Sequence, residues 1–257
     1  FFWSTVATAF KLSLEHLEPI QLVLYSTLFS VCVLFIIVVY KGKFHLIREF
    51  SRNDLKRCAL LGFLNPCLYY IILFKGYDAL PAQEAMVINF SWPIMLVILS
   101  IPILKQTIDI KSFLSIIVCY FGVVVIASSG EVFSMHFEDP FGVLLMLIST
   151  VIWSLFWLFN TKNSNDSLVS LFLIFLFSFP FILIFVFLSD SFIIPSFKGL
   201  IGSIYVGFFE MGISLVLWQS ALKISTTVSR IASLVFITPF LSLVILHFVL
   251  GETILFS

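Results

Sequence analysis

Glu210 stands near the middle of an apolar run at about residues 199–222, among Ile, Leu, Val, Phe and Tyr. If that run crosses a bilayer, an ionised carboxylate there costs about 2.5–3.5 kcal/mol on insertion scales. The acid must then be protonated, paired or turned toward water. At about 100° per residue, Gly199, Ser203, Gly207, Glu210, Ser214 and Ala221 fall along one helix face. Small residues on a face let another helix approach closely. The stripe therefore reads either as a packing seam or as a water-facing wall. On a water-facing wall, Glu210 could bind a substrate amine or carry a coupling proton.

A second run, at about 56–76, carries matching features. Cys58, Gly62, Asn65, Tyr69 and Gly76 share a face, and Pro66 removes a backbone donor beside Asn65. Asn65 either joins Glu210 in a central site or caps the carbonyl that Pro66 frees. Other runs add Met86, Asn89, Trp92 and Pro93; Thr226, Ser229, Ser233 and His247; Ser4, Thr8 and Lys11; and Trp153, Trp157 and Asn160. The candidate substrate contacts are Glu210, Asn65, Tyr69, Asn89, Trp92, Trp153, Trp157, Ser214 and Ser233. The candidate proton carriers are Glu210 and His247. His247 lies near the end of its run and suits either an interface residue or a relay, because imidazole titrates near neutrality. Tryptophans near span ends usually join the interfacial belt, but Trp153 is mid-run and reads as a cavity wall. Lys11 could snorkel outward or fix a substrate carboxylate.

The elements that must hold these residues are membrane helices. The chain has 257 residues, 61% hydrophobic and only 11% charged, against about 25% charged in a soluble protein. So few charges cannot make a soluble shell. A zero net charge and the lack of a basic face exclude a nucleic-acid binder. Cys32, Cys58, Cys67 and Cys119 form no CxxC pair, so neither a disulfide scaffold nor a metal spacing is indicated. Nine apolar segments fall at about 1–14, 20–40, 56–76, 82–104, 111–128, 141–161, 168–189, 199–222 and 226–250. They are continuous rather than alternating, which favours helices over barrel strands.

Basic residues orient them. Loop 41–57 holds Lys41, Lys43, Arg48, Arg52, Lys56 and Arg57, and the same side receives Lys105, Lys111, Lys162, Lys223 and Arg230. The opposite side receives Lys11, Lys75 and Lys198, and it collects Glu15, Glu18, Asp78, Glu131, Glu138 and Asp139. Eleven against three predicts a cytoplasmic N-terminus and a cytoplasmic loop 41–55.

The sequence also repeats. Trp3-Ser4 matches Trp153-Ser154 at an offset of 150, Gly62–Asn65 matches Gly207–Glu210 at 145, and Pro93 matches Pro239 at 146. The unit is five segments long. An odd count places the two copies upside down relative to each other, the inverted-repeat pattern of many secondary transporters. The partner of 111–128 should begin near residue 257, so the intact protein should have ten spans and this chain about nine of them.

Trp3-Ser4 with Lys11, Pro19, Gly207, Trp218 with Ala221-Leu222-Lys223, and Pro239 with Leu250-Gly251-Glu252 together resemble the EamA family of the drug/metabolite transporter superfamily. The resemblance covers essentially the whole chain. Departures are Tyr25 where many members carry Arg, Lys105-Gln106 for the usual Gly-Glu, and Glu210 where many have a small or neutral residue. The resemblance implies an all-α polytopic membrane protein with a ten-span inverted repeat of five plus five. The first repeat would span 1–128 and the second 141–257.

It further implies a multi-pass protein of the plasma (inner) membrane that exports amino acids or related small metabolites by alternating access. The expected partners are the small-molecule substrate and the lipid bilayer. No nucleic acid, cofactor or metal is expected, and the chain would act as a monomer or homodimer. The alternatives are a non-transporting membrane subunit or a nucleotide-sugar or drug carrier. No Walker motif, HExxH or GxSxG occurs, so neither direct ATP drive nor an intramembrane enzyme is indicated.

Overall fold

The computed structural model describes residues 2–127, 139–162, 164–225 and 228–250. The described residues form helices and connecting turns, without a strand. Lipid offers no partner to a free peptide group, so a chain this apolar satisfies its backbone within each segment. Polar residues close the helix ends where the segments leave the apolar zone. Glu18 and Gln21 form a capping box at the start of α2 (Pro19–Tyr40), and Ser51 and Asp54 form another at α3 (Arg52–Gly62). The Asp166 carboxylate accepts from the Leu168 and Val169 N–H groups at the head of α9 (Ser167–Leu188).

Among the described residues, seven stretches are long and apolar enough to cross a membrane: Pro19–Tyr40, Arg52–Ala79, Ala82–Leu104, Pro140–Thr161, Ser167–Leu188, Phe197–Ile224 and Ile231–Val249. The sequence suggests about nine, and the difference lies in the first and fifth segments. The first is a 3-10 turn, Phe2–Thr5, followed by α1 (Val6–Leu14). Together these rise roughly 20 Å. The fifth is α7 (Ile110–Ala127), 18 residues long, within which the side chains of Ser112 and Val123 lie outside the described residues. Thr226, Ser134, Glu131, Glu138 and Gly251-Glu252, and the side chains of Ser229 and Arg230, lie outside the described residues.

Four of the long segments are interrupted near their centres. The third runs as α3, a π-helical stretch Phe63–Leu68, then α4 (Tyr69–Ala79). Asn65 in that stretch is extended, at φ −148° and ψ 123°. The eighth runs as α10 (Phe197–Tyr205), a π-helical stretch Val206–Ser214, then α11 (Leu215–Ile224). The fourth breaks at Phe90-Ser91 between α5 (Ala82–Asn89) and α6 (Trp92–Leu104). The ninth breaks at Phe236 between α12 (Val228–Val235) and α13 (Ile237–Leu250). In the fourth and ninth segments a proline opens the second half, Pro93 and Pro239. Proline is tolerated in a first turn but cannot continue the helix before it.

The packing partners repeat as well. The second segment lies against the seventh, the third packs on the seventh as the eighth packs on the second, and the fourth packs on α8 (Pro140–Thr161) as the ninth packs on α1. Two glycines make the crossing contacts close. A Cβ on Gly62 would stand 2.4 Å from the Ile174 carbonyl oxygen, and one on Gly207 would stand 2.5 Å from the Ser26 carbonyl oxygen. Both would meet backbone, which cannot swing aside. On the loop 41–55 side, Lys43 bridges to Asp166 at 2.6 Å. Partial burial works to raise the Asp166 carboxyl, but Lys43 and the N–H groups of Val169 and Leu168 outweigh it and hold the group below the ordinary carboxylate range.

The glycine contacts generate a paired prediction. Gly62→Ala and Gly207→Ala each cost about 1–3 kcal/mol by overpacking, a fall of roughly 2–12 °C in the melting midpoint. Gly122→Ala, where an added Cβ meets nothing within 4 Å, leaves the midpoint unchanged. Melting curves of the three variants in one detergent check this, and equal midpoints would remove the close-approach argument.

Candidate functional site

The interruptions surround one aromatic cluster. The chain has five tryptophans, and all five meet there. Trp3 comes from the turn before α1, Trp92 opens α6, Trp153 and Trp157 lie one turn apart on α8, and Trp218 lies on α11. Trp3 stands 5.3 Å from Trp218 and 6.1 Å from Trp92, ring centre to ring centre. Trp92 stands 5.3 Å from Trp218 and 6.0 Å from Trp153, and Trp153 stands 5.5 Å from Trp157. Tyr69 extends the cluster, 4.7 Å from Trp153. Most of these pairs are edge-to-face, the arrangement that aromatic quadrupoles favour.

Glu210 opens into this cluster. It is 5% exposed and lies in the π-helical stretch of the eighth segment. The Tyr70 hydroxyl donates to its Oε1 at 3.0 Å. Its Oε2 is buried and has no hydrogen-bond partner among the described residues. The Trp3 indole stands beside the same carboxyl without completing a hydrogen bond. The buried indole N–H groups of Trp3, Trp153, Trp157 and Trp218 likewise have no acceptor among the described residues. Unpaired buried donors are costly, about 1–3 kcal/mol each, so their concentration here marks a place built for something other than a dry seam.

Between the rings lies a cavity of about 40 Å³. That is far below the roughly 300–1,000 Å³ of small-molecule pockets. Glu210, Tyr69, Asn89, Trp92 and Trp153 line it, with Trp3, Phe10 and Tyr77 among the other walls. The ends of the cluster are closed by different chemistry. Toward one end, Phe10 packs on Phe74 at 4.7 Å and on Tyr77 at 5.3 Å. Toward the other, Asn160 Nδ2 donates to Gln219 Oε1 at 2.8 Å, with both side chains buried. The second amide groups of that pair, Asn160 Oδ1 and Gln219 Nε2, have no partner among the described residues.

The other residues marked in the sequence fall outside the cavity. Trp157 is fully buried behind Trp153. Ser214 lines a separate crevice of about 250 Å³ on the other side of Trp3, with Trp218 and Thr238. Asn65 is buried, and both ends of its amide lack partners among the described residues, but it does not line the cavity. Ser233 is half-buried and His247 is exposed on α13 beside Phe248; neither lines it.

Sequence reasoning missed Tyr70, Phe10, Phe74 and Gln219. Tyr70 is missed for a definite reason. Asn65 is extended rather than helical, so the helix restarts after it in a changed register. Stepping from Asn65 to Tyr69 on a regular helix therefore passes over the residue that meets Glu210. The proline after Asn65 is the signal that regular spacing should not be trusted there.

Comparison with known proteins fits this arrangement. The model of the EamA-like transporter family matches residues 1–128 and again 140–257. An "uncharacterized transporter" of Archaeoglobus fulgidus is 28% identical over 260 residues, covering 98% of this chain and 87% of its own. One of Clostridium kluyveri is 26% identical over 265 residues, covering 98% and 83%. A solved crystal structure aligns with the whole chain and 85% of its own at a TM-score of 0.76. At 18% identity that likeness concerns the fold.

Proposed function

The chain belongs to the EamA-like transporter family, matched over both halves, and from that premise we propose that it is a secondary active transporter of small metabolites of about amino-acid size, working by alternating access. A multi-pass membrane protein with a buried acid needs a reason to keep it. The observation that carries the proposal is where the helices break. The third segment breaks at the extended Asn65 and the eighth turns π-helical around Glu210, offset by 145, and the fourth and ninth break at Phe90 and Phe236, offset by 146. Interrupted helices facing each other at mid-membrane across an inverted repeat are the usual architecture of a transport site. A non-transporting subunit would have no use for repeat-matched breaks around an unpaired carboxyl.

The two closures supply the gates. Phe10 and Asn160 correspond at the offset of 150, and Phe74 and Gln219 at 145. In an inverted repeat such positions sit at opposite membrane faces. Under the orientation given by the basic residues, Phe10–Phe74 closes the outer side and Asn160–Gln219 the inner side. Alternating access then consists of opening one contact while the other holds. The 40 Å³ cavity suits a state with both closed.

The orientation is tested by labelling in intact cells. In a cysteine-free background, Lys198→Cys reacts with an impermeant maleimide and Glu49→Cys does not. The opposite pattern reverses the assignment of sides.

Glu210→Gln keeps the size of the side chain and an acceptor for Tyr70 while removing titration. In proteoliposomes it should abolish net transport or strip its pH dependence, with the melting midpoint retained. Wild-type transport with an unchanged pH profile would confine Glu210 to packing.

The inner gate has its own test. Asn160→Cys with Gln219→Cys, oxidised to a disulfide, should arrest transport reversibly, with activity returning on reduction. Unimpaired transport by the cross-linked protein means that this contact does not open in the cycle.

A further inference from the structure

The charge balance of the cavity bears on what enters it. Thirteen of the described residues line it, and seven of those are Trp, Tyr or Phe. One is an acid, Glu210, and none is Lys, Arg or His. The carboxyl keeps one buried oxygen without a partner among the described residues. We propose that the central cavity is an aromatic cage for an organic cation, an ammonium head on an apolar body, held by Glu210 and by the ring faces of Trp3, Trp92, Trp153 and Tyr69. This rests on the transporter reading and narrows it to substrates that carry a net positive charge at the site.

Three arguments converge on that class. An ionised carboxylate at mid-membrane is unfavourable by itself, and a bound cation supplies the missing counter-charge. Aromatic faces carry negative quadrupole density, and tryptophan is the best of them at holding an ammonium, at about 2 kcal/mol or more when desolvated. The same faces and Glu210 repel a carboxylate or phosphate, and none of the described residues lining the cavity is basic. The unpaired indole N–H groups of Trp3 and Trp153 can still donate to a neutral hydroxyl or carbonyl on the cation's body.

The size mismatch adds a further expectation. A phenylethyl group cannot fit in about 40 Å³, so the rings must part to admit it. Every tryptophan of the protein is in the cluster, so the intrinsic emission reports that movement directly.

The test is a fluorescence titration of the purified full chain in detergent with four compounds of similar shape. They are 2-phenylethylammonium, 2-phenylethanol, 3-phenylpropionate and phenylalanine. The ammonium should bind at least tenfold more tightly than the alcohol, and more tightly than the other two. Glu210→Gln should remove that preference. Trp153→Leu, which leaves the acid in place, should weaken the ammonium more than the alcohol, so a misfolded Gln variant does not leave the question open. Phenylalanine or phenylpropionate binding as tightly as the ammonium overturns the cation class, as does an unchanged preference in either folded variant or no binding by any of the four. Counterflow in proteoliposomes separates this from the parent reading. Counterflow of phenylalanine without ammonium preference keeps the transporter and removes the cage. Selective ammonium binding without counterflow keeps the cage and removes the transporter.

Discussion

Lipid gives a peptide group no hydrogen-bond partner, and the architecture follows from that restriction. Chain that leaves regular α-helix at membrane depth survives only where protein covers it or a cavity receives it. Here four long segments leave regular helix near their centres. The fourth and eighth breaks meet at the rings: Phe90, Trp92 and Glu210 line the cavity with Trp3 and Trp153. Local repairs are visible: the Ser30 hydroxyl donates to the Met211 carbonyl inside the eighth segment's π-helical stretch at 2.6 Å, and Ser154 donates to the Trp92 carbonyl just after the fourth segment's break at 3.2 Å. The tryptophan cluster thus has two roles, sealing irregular backbone from lipid and walling the cavity.

The helix crossings are set by absence of side chain. At Gly62 and Gly207 the neighbouring backbone is already where a Cβ would lie. Without a hydrophobic drive between helices in lipid, such close van der Waals approach is a main source of association. The two contacts occupy matching positions in the two halves and join each half to the other. The halves are therefore interlocked rather than side by side.

Chemistry differs where position matches. Asn65 and Glu210 occupy corresponding sites, yet one is a neutral amide away from the cavity and the other an acid facing it. Phe10–Phe74 and Asn160–Gln219 likewise correspond, one contact held by ring packing and the other by a single amide hydrogen bond. Ring packing carries no directional bond, whereas the amide pair holds a directional one. Repetition supplies the scaffold, and divergence at these few positions makes the two ends inequivalent.

Much of this was legible in the residues. Composition alone required membrane helices, and the apolar runs placed the long segments to within a few residues, because burial in lipid demands length and hydropathy that nothing else in a sequence imitates. Glu210, Trp153, Trp92, Asn89 and Tyr69 stood out for the same reason: each is polar or amphipathic where lipid or core would be expected. The first and fifth segments are helical but are not among the seven described stretches long and apolar enough to cross a membrane. What only the tertiary structure decided was adjacency. Tyr70 reaches Glu210 because the helix is broken at the extended Asn65, a local choice that periodicity does not encode. Phe10 and Phe74, or Asn160 and Gln219, are tens of residues apart and chemically ordinary, and only the folded crossing of their helices makes them pairs. The sequence also left His247 and Ser233 level with the others on a helix stripe. Their exclusion from the cavity depends on which way α12 and α13 face, which is set by the neighbours those helices pack against and not by their own residues.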